Sequence, residues 1–185
     1  MIVHEGHRQM SQVGFARFSA RDVAKRIGYS IGTIYNVFGS YDMLILAINA
    51  QTLMQWQAHV QARLADARTD RLRVLVEAYF EFAVLHHHAW TALYDHRLPD
   101  DVAAPEYYQD HIRSLTGIAR DEIAAALPLE RRAEADALTR SLLATVHGHC
   151  FFTLNGTFKL LGETRPLDTV YARVREAIGT SFTSN

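Results

Sequence analysis

The chain has 185 residues, 49% of them apolar and 21% charged, which is enough to bury a sizeable core and excludes a globally disordered protein. Its formal net charge of −1 gives no whole-protein argument for a nucleic-acid partner. A single cysteine, Cys150, excludes an intrachain disulfide.

Charge is unevenly spread. Residues 1–48 hold five Lys/Arg (Arg8, Arg17, Arg21, Lys25, Arg26) against three acids (Glu5, Asp22, Asp42), net +2, and the remainder carries 14 against 17, net −3. A basic head on an acidic body is compatible with DNA binding, and with much else. The N-terminal segment lacks the apolar core of a signal peptide, and no run reaches the ~18 apolar residues of a membrane span. With the lone thiol, this predicts a cytoplasmic protein without a membrane partner.

No sustained period-two alternation occurs, and the chain reads as all-α, with about nine helices. Ser19 precedes Ala20-Arg21-Asp22-Val23-Ala24, a capping hydroxyl followed by an early acid, and Gly28 supplies a stop that tolerates left-handed angles. A short helix follows from Ser30 to Val37, and Gly39-Ser40 ends it and caps a third running to about Ala65. Beyond Thr69-Asp70, the residues Leu72, Leu75, Val76, Tyr79 and Ala83 form a buried stripe. A less regular patch spans His86 to Pro99. Helices are then predicted over 105–127, 130–161 and from Pro166 to Ser181, the prolines sitting where the apolar pattern pauses.

Two short helices joined by Gly28-Tyr29-Ser30 make a helix-turn-helix signal. The first packs by Val23, Ala24 and Ile27. The second packs by Ile34 and Phe38 and leaves Ile31, Thr33, Tyr35 and Asn36 outward, where Thr and Asn can bond base edges and an apolar side chain can touch a thymine methyl. The run Gly14-Phe15-x-x-x-Ser19-x-x-Asp22-Val23-Ala24-x-x-Ile27-Gly28-Tyr29-Ser30-x-Gly32-Thr33-Ile34-Tyr35-x-x-Phe38-x-Ser40-x-Asp42-x-Leu44 resembles the DNA-binding domain of the TetR family of transcription regulators. That resemblance implies DNA contacts from Ser19, Arg21, Ser30, Ile31, Thr33, Tyr35, Asn36 and Tyr41, with Tyr35 on phosphate. It also implies a domain boundary near residue 48, with 49–185 as a helical ligand-sensing and dimerisation domain.

Three departures from the family pattern stand out. Val37 replaces an aromatic or His and Tyr41 replaces a Lys, both commonly placed against phosphate. His7 and Gln9 occupy apolar positions of the first helix. The basic arm that precedes this helix in the family is expected to be missing, since Met1 stands almost at the helix. Every phosphate left without a cationic partner lowers the log–log salt slope of binding by ~0.9, so weaker DNA binding is expected.

In the second domain, Ala144-Thr145-Val146-His147-Gly148-His149 with Trp90 resembles the "WHG" type of TetR regulatory domain. The family implies a homodimer through the last two helices, with Leu138, Leu142, Thr145, Phe152, Val170, Val174 and Ile178 as interface candidates. Aromatic and polar-tipped side chains at Tyr79, Phe82, His86, Trp90, Tyr94, Tyr108, His111, His147 and Phe151 suit a cavity for a flat or apolar effector.

Motifs for catalysis, phosphate cradling or cofactor binding are missing, so a non-enzymatic protein without cofactor is expected. His86-His87-His88 point about 100° apart on a helix and His147 and His149 are likewise spread, so no metal site is expected. The expected function is a repressor that binds a palindromic operator in double-stranded DNA and is released by a small apolar or aromatic effector. The alternatives are a His-rich metal-sensing regulator, and a helical dimer that has lost DNA binding and acts as a ligand-binding module.

Overall fold

A computed structural model describes residues 1–179. They form ten α-helices and two 3-10 turns, with no strand among the described residues. The helices are α1 (Ile2–Val13), α2 (Ala20–Arg26), α3 (Ile31–Phe38), α4 (Tyr41–Asp66), α5 (Arg71–Leu85), α6 (His87–Asp95), α7 (Glu106–Ala126), α8 (Ala135–Leu154), α9 (Thr157–Leu161) and α10 (Pro166–Ile178). The 3-10 turns cover Phe15–Arg17 and Leu129–Glu134. The all-α expectation holds, and the expected end of the last helix at Ser181 lies outside the described residues.

The helix termini follow from local chemistry. Ser19 Oγ accepts from the Asp22 amide at 3.2 Å, Ser30 Oγ from Thr33 at 3.1 Å and Ser40 Oγ from Met43 at 3.2 Å, so three successive helices open on a hydroxyl cap. Gly28 and Gly39 take φ of 75° and 80° at the ends of α2 and α3, a region only glycine enters freely. The predicted single helix over 130–161 is corrected. It opens as a 3-10 turn and breaks after Leu154, where Gly156 at φ 80° starts the short α9. Asn155-Gly156 is a turn signal, outweighed in the sequence by apolar residues on both sides.

Two compact units result. The first comprises Met1–Ala58 and Leu85–Ser114, and the second comprises His59–Val84 and the chain from Leu115 onward, so residue 48 lies inside α4 and inside the first unit. In the first unit Met10, Ala20, Val23, Ala24, Ile34, Leu44, Ile45, Ile48 and Ala92 form a buried cluster. Each large side chain there contributes about 1.5–3 kcal/mol by leaving water. Gly6 lets α1 approach α4 closely, since a Cβ in its place would lie 2.5 Å from Ile48 Cδ1.

In the second unit α8 packs along α10, and Leu142, Val146, Val170, Val174 and Ile178 are buried within the chain. Four of the expected interface residues, Leu142, Val170, Val174 and Ile178, are therefore core residues. Periodicity finds the apolar stripe of a helix but does not say whether it faces the same chain or a second copy. Leu138 and Thr145 are half-buried, and Phe152 remains exposed. Asp70, at φ 44°, receives the Tyr171 hydroxyl at 2.6 Å, and Arg73 lies over the Tyr171 ring, tying the start of α5 to α10.

Candidate nucleic-acid interface

Helices α2 and α3 are held by the cluster through Val23, Ala24 and Ile34, all buried, with Ile27 and Phe38 packed at its edge. Outward from α3 stand Gly32, Tyr35, Asn36 and Val37, all exposed. Ile31 differs from expectation. It packs against the cluster and is half-buried, because it lies one helical turn from the buried Ile34 and shares its inward face. Thr33 is half-buried and its hydroxyl lies 3.0 Å from the Ser30 hydroxyl, so both side chains serve the start of α3.

The flanking positions carry the charge. On α2, Arg21, Lys25 and Arg26 are exposed, and Arg26 reaches Glu5 at 3.6 Å. Tyr41, at the first position of α4, is half-buried with its ring 6.3 Å from Phe18. Burial first, then the nearby Tyr35 and Asp42, pushes its hydroxyl above the usual tyrosine range, so it is a neutral hydrogen-bond donor. The expected DNA residues Ser19, Arg21, Ser30, Thr33, Tyr35, Asn36 and Tyr41 thus lie in or beside one helix-turn-helix.

Sequence reasoning missed two residues that hold this element. Gln9 is buried, and its side-chain oxygen accepts the Ser19 amide at 3.0 Å, fixing the chain where it enters α2. A polar residue on the apolar face of α1 was the available signal. His96, just past α6, places Nε2 2.9 Å from Asp42 Oδ1 and packs its ring edge-on to Phe15. No sequence signal links positions so far apart.

The nine expected ligand residues fall into two local groups. His86, Trp90, Tyr94, Tyr108 and His111 belong to the first unit, where Trp90 and Tyr94 meet edge-to-face at 5.4 Å. Tyr79, Phe82, His147 and Phe151 belong to the second. There the Tyr79 hydroxyl and His147 Nδ1 lie 2.9 Å apart, and Phe151 stacks on the imidazole. Burial lowers the His147 pKa, favouring a neutral ring. Phe82 is fully buried against His59. The Cys150 thiol is buried and pushed up to about 12, far from reactive. Among the described residues no three His, Cys, Asp or Glu side chains converge as metal ligands, and no single helix is long and apolar enough to cross a membrane.

Comparison with known proteins agrees with this geometry. Residues 2–48 match the family profile "Bacterial regulatory proteins, tetR family", and residues 72–178 match "Tetracyclin repressor-like, C-terminal domain". No curated protein shows significant similarity to the sequence. Among solved structures, SCO4313, described as a regulatory protein, is 19% identical with a TM-score of 0.72, the match covering 96% of this chain and 93% of that one. A protein from Rhodococcus sp. RHA1 is 17% identical with a TM-score of 0.72, over 95% and 90% of the two chains. The multidrug binding protein EbrR, solved with imidazole, is 18% identical with a TM-score of 0.62, over 100% and 96%. At these identities the likeness is one of fold.

Proposed function

The chain belongs to the TetR family of bacterial regulatory proteins, and we propose that it is a transcription repressor that binds a palindromic operator and leaves it when a small, largely apolar or aromatic effector binds. The observation that carries this reading is the outward face of α3. It is exposed at Gly32, Tyr35, Asn36 and Val37, on a helix short enough for the major groove and backed by a packed core. On this reading residues 1–48 are the DNA-reading part and 49–185 the sensing and dimerising part. Tyr35, Tyr41, Arg21 and the capping Ser19 flank the groove at the phosphates, with Ser30, Thr33 and Asn36 completing the surface, while Ile31 backs it from the core side.

Two copies are needed, because half-sites lie roughly one helical turn (~34 Å) apart on one DNA face. Exposed apolar side chains at Phe151, Phe152, Leu160 and Leu161 support an interface around the end of α8 and α9. EbrR, a multidrug binding protein, shares the fold, which supports an effector role for the aromatic groups around Trp90 and Tyr79. Effector and DNA then favour different states of the same dimer.

Selection of bound duplexes from a random pool at low salt tests the reading. Enrichment of a palindrome, released by members of an aromatic and acyl compound library, is the expected result. A pool that stays random refutes the operator claim, and a palindrome that no compound releases refutes the effector claim.

A further inference from the structure

Within α3 the side chains are not equivalent, and their directions single out one of them. Ile34 is fully buried and Ile31 and Phe38 pack against the same cluster, which fixes the inward side of the helix. At 100° per residue, Asn36 projects opposite that side, with Gly32 beside it one turn earlier. A Cβ at Gly32 would meet only the Ser30 hydroxyl, at 3.5 Å, so the surface is open at Gly32, and Asn36 beside it is exposed. Thr33 is committed to Ser30 at 3.0 Å, and Tyr35 lies about 100° around the helix from Asn36, toward the flank. Asn36 is thus the outward residue of α3 with both a donor and an acceptor in one plane.

Val37 completes the pattern. It is 62% exposed although apolar, and its branched Cβ leaves little rotamer freedom. Such a side chain offers a duplex no hydrogen bond, only a rigid pair of methyl groups. In the major groove the matching feature is the thymine 5-methyl.

Resting on the reading that α3 enters DNA, we propose that Asn36 sets the sequence specificity by pairing its carboxamide with the N6 and N7 edge of an adenine, and that Val37 packs on the methyl of a neighbouring thymine. Ile31, turned inward, does not take that apolar role. The specificity of each half-site then centres on an adenine and an adjacent thymine.

The test is to repeat the random-pool selection with full-length protein carrying Asn36→Ala or Val37→Ala, beside wild type, at one salt concentration. Both positions are exposed, so unchanged melting temperatures are expected. Wild type should fix an adenine in each half-site. Asn36→Ala should lose that preference alone, with affinity for the wild-type site falling roughly five- to a hundred-fold, the worth of one bidentate base contact. Replacing the adjacent thymine by uracil, which removes only the methyl group, should weaken wild type several-fold and leave Val37→Ala unaffected. A wild-type palindrome whose adenine Asn36→Ala still selects overturns the assignment and leaves DNA binding standing. A wild-type pool with no enriched site overturns both.

Discussion

His7 sits on the buried side of α1 with its Nε2 unpartnered, and desolvation, then the nearby His86 and His4, lowers its pKa. The folded protein therefore holds this ring neutral, while the unfolded chain protonates it near its ordinary value of ~6.5. Below that pH the unfolded state binds the extra proton, so stability is fully present above about 6.5 and is lost as pH falls toward the depressed folded value. His147 shifts in the same direction and adds to the slope. His7→Leu should flatten the loss of stability between about pH 7 and 5, by up to ~1.4 kcal/mol per pH unit while the ring titrates. Denaturant melts at several pH values measure it, and an unaltered slope rules out a buried neutral His7. At this scale caps and stops are written in single residues such as Ser19, Ser30 and Gly28, so the sequence reveals them. The role of Gln9 depends on a partner ten positions away, and that of His96 on one 54 positions away, so neither shows.

Between helices the decisive positions are the turns. Gly28 ends α2 at φ 75°, and a Cβ there meets nothing within 4 Å. Gly28→Ala therefore isolates the backbone cost of the left-handed conformation, about 1–2 kcal/mol, without a packing clash. Chemical denaturation should show a loss of that size, with weaker DNA binding as α3 loosens. An increase in stability would contradict the turn geometry. The helix-turn-helix was legible because its two caps, one glycine and alternating inward residues are all local. The break between α8 and α9 was signalled by Asn155-Gly156 but hidden by Phe151, Phe152, Phe158 and Leu160 around it. Leu142, Val170, Val174 and Ile178 were read as interface because one helical stripe serves equally for a core or a dimer. Their burial against the rest of the second unit decides it. Likewise Ile31 turns to the side opposite the one that a short pattern assigns it, since which residues face the core depends on where α1, α4 and α6 stand.

At the scale of the whole molecule, the proposed DNA recognition needs two copies of the α3 surface presented together, and with few exposed cations on α2 the salt dependence of that binding should be shallow. Tyr35 belongs to this surface, 41% exposed and outside the core cluster, so its removal touches neither fold nor assembly. The direct test is equilibrium binding of the selected operator by wild type and Tyr35→Ala, with molar mass measured by light scattering on the same samples. Both proteins should be dimers, and Tyr35→Ala should bind at least about tenfold more weakly, a change worth ~1.4 kcal/mol. Equal affinity from two intact dimers, or a wild-type protein that remains a single chain, would contradict the account.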